Sequence, residues 1–159
     1  MILVTNGDVL RSGADIICHQ VNCQGVMGSG VAKQIRDKYP SVYRAYKQLS
    51  DKFADRKEML LGNVLHSLTG VDSPVIANCF AQLDYGVGKV QTDYEALRHC
   101  FSEVLYYTQT YDEPPTIAMP YGIGCGLAGG DWEIVSGIIR ECFEAYQGTV
   151  YLYAYGGQH

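Results

Sequence analysis

The sequence predicts an α/β fold, a three-layer α/β/α sandwich with a mixed central sheet, and three observations carry that expectation. Aliphatic and β-branched runs alternate with segments of helical period in the order β, β, α, α, β, β, α, β, α, β, which puts helices on both faces of a partly parallel sheet. Two glycine-rich loops each follow a strand and lead into a helix. The 159 residues are 47% hydrophobic and 18% charged, enough apolar material for one core and one domain over residues 1–159, and too little charge for a disordered chain.

Ile2 to Thr5 is a β-branched and aliphatic run that ends at Asn6-Gly7, and Ile16 to Val21 is a second one after the turn residues Ser12-Gly13. Gly28 and Gly30 open a segment in which Val31, Ile35 and Tyr39 recur at helical spacing until Pro40 stops it. Ser41 is then placed to cap a second helix with Val42, Tyr46, Leu49 and Phe53 on one face. Asn63 to Leu68 and Val75 to Ala81 read as strands joined by a turn over 69–74. Thr92 followed by Glu95 has capping-box spacing, so a helix is expected from there to about Gln109. Thr116 to Met119 is a strand, Gly122 to Gly130 a glycine loop, Asp131 a helix cap, and Thr149 to Tyr155 a last strand of alternating tyrosines.

Composition narrows the function. Twelve Lys and Arg against seventeen Asp and Glu give a net charge of -5, without the basic excess that general nucleic-acid binding requires. There is no apolar run long enough for a membrane span and no signal-peptide pattern at Met1 to Thr5, so a cytoplasmic, membrane-free protein is expected, and a monomer. The six cysteines read as reduced, mostly buried thiols. They form no CxxC pair, and His19, His66, His99 and His159 form no His-x3-His pattern, so neither a metal site nor a cofactor is expected.

Eighteen glycines exceed average usage, and seven of them (Gly28, Gly30, Gly122, Gly124, Gly126, Gly129 and Gly130) fall in the two strand-to-helix loops. Successive N–H groups of such loops can converge on an oxyanion, and the helix N-terminus adds about half a positive charge. Two loops can therefore hold two phosphates. Neither is a P-loop, since Lys89 is followed by Val90. Gly124-x-Gly126-x-x-Gly129 matches a dinucleotide fingerprint, yet only thirty residues follow it, too few for the second half of a Rossmann domain.

Five separated elements together resemble the macro domain: Gly7 to Val9, Ile17 to Asn22 (ICHQVN), Gly28 to Ala32 (GSGVA), Gly122 to Leu127 (GIGCGL) and Thr149 to Tyr151 (TVY). The two loops resemble the branch that holds terminal ADP-ribose protein glycohydrolases, antitoxins that reverse DNA ADP-ribosylation, and ADP-ribose-1''-phosphate phosphatases. The resemblance implies ADP-ribose, free or on a macromolecule, as ligand, and a hydrolase, with a non-catalytic ADP-ribose reader as the alternative.

It also implies a division of labour. Asp8 would accept a hydrogen bond from the adenine amino group, with Val9 giving backbone contact and Tyr151 or Tyr153 bordering the ring. Gly28, Ser29, Gly30 and Val31 would face the diphosphate and distal ribose from one side, and Ile123, Gly124, Cys125, Gly126 and Leu127 would close over it from the other. Asn22 matches the asparagine that holds the distal ribose, where an amide can both donate and accept. His19 stands where the phosphatase branch has histidine, and an imidazole there could act as acid, base or nucleophile at the 1'' position. Asp131 could assist as a second acid–base group, although its position also fits an N-cap. Two departures bear on the reaction: the glycohydrolases' catalytic lysine aligns with Tyr85, Lys89 being four residues late, and their aspartate after GCGL is Ala128. Cysteine phosphatase chemistry is unsupported, because Tyr106 occupies the place of the arginine required six residues after Cys100.

Overall fold

Strands with both faces covered are continuously apolar, and the central strands here follow that rule. In the computed structural model, which describes residues 1–155, β2 (Ile16–Asn22) and β4 (Val75–Gln82) are buried along nearly their whole length. Around them lie β1 (Ile2–Asn6), β3 (Val64–Leu68), β5 (Ile117–Pro120) and β6 (Val150–Ala154) in the order β1-β6-β5-β2-β4-β3. All neighbours are parallel except β3 and β4, which form the antiparallel edge. The expected mixed sheet is thus observed, with β2 leading through two helices to β3 on one side and β4 crossing through one helix to β5 on the other side of β2.

One helical layer contains α1 (Gly30–Lys38) and α2 (Pro40–Lys52), and the other contains α3 (Tyr94–Thr108) and α4 (Trp132–Phe143). The α3/α4 side buries the larger core. Cys18, Ala77 and Cys79 of the sheet meet Leu97, Phe101, Val135 and Phe143, and Phe101 packs edge-on against Phe143 at 5.2 Å, a geometry worth about 0.5–1.5 kcal/mol beyond its area. Alternation along β2 sends Ile17, His19 and Val21 to the opposite face, where Ile17 packs with Ile35 and Val42 and Val21 with Tyr46 and Phe80. All six cysteines are free, four of them buried, and Cys125 and Cys142 partly exposed. Among the described residues no helix is long and apolar enough to cross a membrane.

Two expected caps are corrected. Helix α3 is capped by Asp93, whose carboxylate accepts from the Ala96 N–H at 3.0 Å, and not by Thr92. The Thr92 hydroxyl is committed elsewhere, donating to the Gly124 carbonyl and accepting from Gln20. Ser41 caps nothing, because α2 starts one residue earlier at Pro40, whose fixed φ suits the first helical position. Asp131 does cap α4, its Oδ1 accepting from the Glu133 N–H at 2.9 Å.

Candidate active site

Parallel strands β2 and β5 pair only at Ile16–Ile117 and Ile17–Ala118, then separate. The chain leaves β2 toward the α1/α2 layer and leaves β5 toward the α3/α4 layer, so a crevice opens beyond their carboxyl ends at the topological switch point. That crevice is a cleft of about 690 Å³ with both glycine loops in its walls. Among the described residues no Lys or Arg lines it, and Asp8 is its one carboxylate.

The first loop is held from behind by α2. The Asn22 side chain is spent within the loop: Oδ1 accepts from the Gln24 N–H at 2.9 Å, and Nδ2 donates to the Val26 carbonyl at 2.8 Å. The buried Tyr46 hydroxyl lies 2.7 Å from the Asn22 carbonyl and 2.9 Å from Oδ1, and accepts from the Val26 N–H. Burial pushes the Tyr46 phenol far up, so it remains a donor at any physiological pH. At the loop's end Ser29 precedes α1 without a side-chain cap, and the N–H groups of Gly28, Gly30, Val31 and Ala32 have no partner among the described residues. These orphan donors and the helix dipole face the cleft.

The second loop is latched to the 82–92 segment. Gln20 Nε2 donates to Gln82 Oε1 and to Thr92 Oγ1, both at 2.9 Å, and Thr92 Oγ1 donates to the Gly124 carbonyl at 2.5 Å. Gly130 N–H donates to the same carbonyl at 2.9 Å, while Gln91 and Thr92 N–H groups donate to Ala128. Gly124 has φ +76°, and a Cβ there would lie 2.9 Å from Gln20 Oε1. At Gly130 a Cβ would stand 2.5 Å from the Gly124 carbonyl oxygen. The result is a loop whose Gly124, Gly126 and Leu127 N–H groups have no partner among the described residues and lie across the cleft from the first loop.

Asp8 uses Oδ1 to cap a short 3-10 turn, accepting from the Leu10 N–H at 2.9 Å, and it lines one end of the cleft beside Val9 and Tyr153. His19 forms part of the floor and is 1% exposed. Burial lowers its pKa from 6.5 to about 4, against the opposing effect of its hydrogen bond to Asn78, so the ring is neutral at physiological pH.

Most of the sequence-expected residues therefore share one cleft, but three do not line it. Cys125 is turned toward its own loop, its Sγ 3.5 Å from the Ile123 carbonyl. Asp131 is the α4 cap, and its N–H donates to the Tyr94 hydroxyl. Tyr151 lies too early on β6, tilted against Tyr153, whereas Tyr153 and Tyr155 reach the cleft. Sequence reasoning missed Gln20, Gln82, Tyr121 and Tyr155, all of which line it. Their signal was available in part, since Gln20 and Gln82 are polar residues at the carboxyl ends of otherwise apolar strands. Tyr85 and Ala128, the positions of the two departures, also line the cleft.

A cleft at this switch point, walled by two glycine loops and lined by no cationic side chain among the described residues, defines an α/β protein whose open main-chain donors converge on one crevice. The sequence pattern of the Macro domain matches residues 18–139, and the chain belongs to that family. It is 37% identical over 75 residues to the DNA ADP-ribosyl glycohydrolase of Mycobacterium bovis, covering 46% of this chain but 20% of that protein. It is 31% identical over 113 residues to the ADP-ribose 1''-phosphate phosphatase of Candida glabrata, covering 65% and 61% of the two chains. The chain thus spans about a fifth and about three fifths of these two relatives. Among solved structures it is similar to the macrodomain of Mycobacterium tuberculosis DarG, with a TM-score of 0.77 and 26% identity over 97% of each chain.

Proposed function

We propose that the cleft binds ADP-ribose and that the chain hydrolyses a derivative of it, either the 1''-phosphate or an ADP-ribosyl linkage. The observation that carries this reading is the pair of orphan N–H arrays facing each other across one cleft, at the N-terminus of α1 and in the Gly124–Leu127 turn. A diphosphate placed between them would receive donors from both walls and the dipole of α1 without needing a cationic side chain. Asp8 retains a second carboxylate oxygen for an exocyclic amine, with Tyr153 and Tyr155 as aromatic walls at that end. Asn22 shapes the loop that borders the distal ribose, and His19 lies in the floor. Names of the glycohydrolase and phosphatase relatives support hydrolysis at the 1'' position.

A reader without turnover has its own support, because Tyr85 and Ala128 line the cleft where the related glycohydrolases carry lysine and aspartate. Two measurements decide. Calorimetry with ADP-ribose should give micromolar binding, and its absence removes the reading altogether. Incubation with ADP-ribose-1''-phosphate, with ADP-ribosylated protein and with ADP-ribosylated DNA should release phosphate or ADP-ribose from one of them. Binding with no release from any of the three would make the protein a reader.

A further inference from the structure

Asn78 lies outside the cleft lining, yet it touches His19, the one histidine among the described residues that line the cleft. It is fully buried on β4 in register with His19 on β2, and its Oδ1 lies 2.6 Å from His19 Nε2. Its other end fixes which way the amide points. Nδ2 lies 2.9 Å from the Leu65 carbonyl, 3.4 Å from the Ile76 carbonyl and 3.3 Å from Ser67 Oγ, and carbonyl oxygens can only accept. The nitrogen must therefore face β3, and Oδ1 must face the imidazole. An amide oxygen also only accepts, so His19 Nε2 carries the proton and Nδ1 is bare. Among the described residues Nδ1 is buried without a partner.

We infer that Asn78 is the positioning residue of the site: it locks His19 in the Nε2–H tautomer, so that the ring serves the ligand only as an acceptor at Nδ1 and never as a proton donor. The groups around the ring agree. The sheet partner of His19, Asn78, is neutral, as is Ser67 behind it. Among the described residues Asp8, Tyr85, Tyr121, Tyr153 and Tyr155 are the other titratable residues lining the cleft, and burial is the larger influence on the His19 ring. Nδ1 is buried and unpartnered in a residue that lines the cleft, and a bare imidazole nitrogen accepts only from a group that brings its own hydrogen, such as a hydroxyl or a water. This rests on the hydrolytic reading only for its consequence in turnover; the tautomer itself is independent of it.

The tautomer is read directly by nitrogen-15 NMR of the imidazole. The wild type should show Nε2–H and bare Nδ1, with no titration between pH 8 and 5.5. Asn78→Ser should introduce the Nδ1–H form, and Asn78→Asp should raise the pH at which His19 titrates by more than one unit. Where turnover is found, Asn78→Ser should lower kcat by about 100-fold, the scale of losing a positioned acid–base group, with KM within about twofold. In Asn78→Asp the acid limb of the pH profile should move upward together with the NMR titration. A purely structural Asn78 would lower activity without moving that limb. Nδ1–H in the wild type, or pure Nε2–H in Asn78→Ser, would overturn the inference. If Asn78→Asp does not fold, the wild-type spectrum and Asn78→Ser still decide. Absence of turnover would refute hydrolysis while leaving the NMR outcomes to judge the tautomer.

Discussion

Gly130→Ala is the sharpest test of the second loop's geometry. The added methyl would lie 2.5 Å from the Gly124 carbonyl oxygen, whereas non-bonded contact needs about 3.5 Å, so the two strands of the loop must part by about 1 Å. That carbonyl accepts from Gly130 N–H at 2.9 Å and Thr92 Oγ1 at 2.5 Å, and the displacement strains both bonds. Overpacking costs about 1–3 kcal/mol and each of the two weakened hydrogen bonds about 1 kcal/mol, giving about 3–5 kcal/mol in total. For a chain of this size that is a fall in Tm of about 9–15 °C. The moved N–H groups of Gly124 and Gly126 should weaken ADP-ribose binding by at least about tenfold, or 1.4 kcal/mol. Thermal unfolding and calorimetry measure the two effects. Gly126→Ala is the control for stability, since a Cβ there meets nothing within 4 Å. A Gly130→Ala protein that melts within 2 °C of wild type and binds ADP-ribose equally would refute the account of this loop.

Asp8→Ala removes both the turn cap and the one carboxylate of the cleft, and should weaken ADP-ribose binding about tenfold by calorimetry while costing about 1 kcal/mol of stability. Stability should also fall in acid through His19. Its folded pKa is depressed to about 4 while the unfolded chain titrates near 6.5, so in that window the unfolded state binds the extra proton and gains. Nothing is lost above pH 6.5, and about 3 kcal/mol is lost by pH 4; His19→Gln should flatten that part of the Tm profile relative to wild type. Alkylation followed by mass spectrometry should modify Cys125 and Cys142 first and slowly, since both thiols are partly exposed but raised above their ordinary pKa, Cys125 to about 11. Cys18, Cys23, Cys79 and Cys100 should react only on unfolding, and early labelling of Cys79 would contradict the packing of α3 on the sheet.

Order and type of the elements could be read from periodicity because the central strands are buried on both faces and the helices on one. Local capping was less legible, since it is decided by competition in space. Thr92 and Asp93 are equally good caps by sequence, and only the approach of Gly124 removes Thr92 from that role. The same limit applies to the site. The two loops announced themselves through glycine, but Asp131 and Cys125 belong to the motif without facing the cleft, and Tyr155 faces it from just past the last strand. Asn78 was visible as a polar residue in an apolar strand, but its link to His19 depends on the register of β2 with β4, which no local pattern encodes.

Anchoring the first loop through Tyr46 has a consequence for how a ligand is chosen. A loop clasped to a core helix is a wall and not a lid: its shape exists before anything arrives, so little ordering entropy remains to be lost on association. Discrimination must then come from side chains outside that loop. Tyr85, Val87 and Leu127, exposed and lining the cleft, are placed to meet whatever group a ligand carries there.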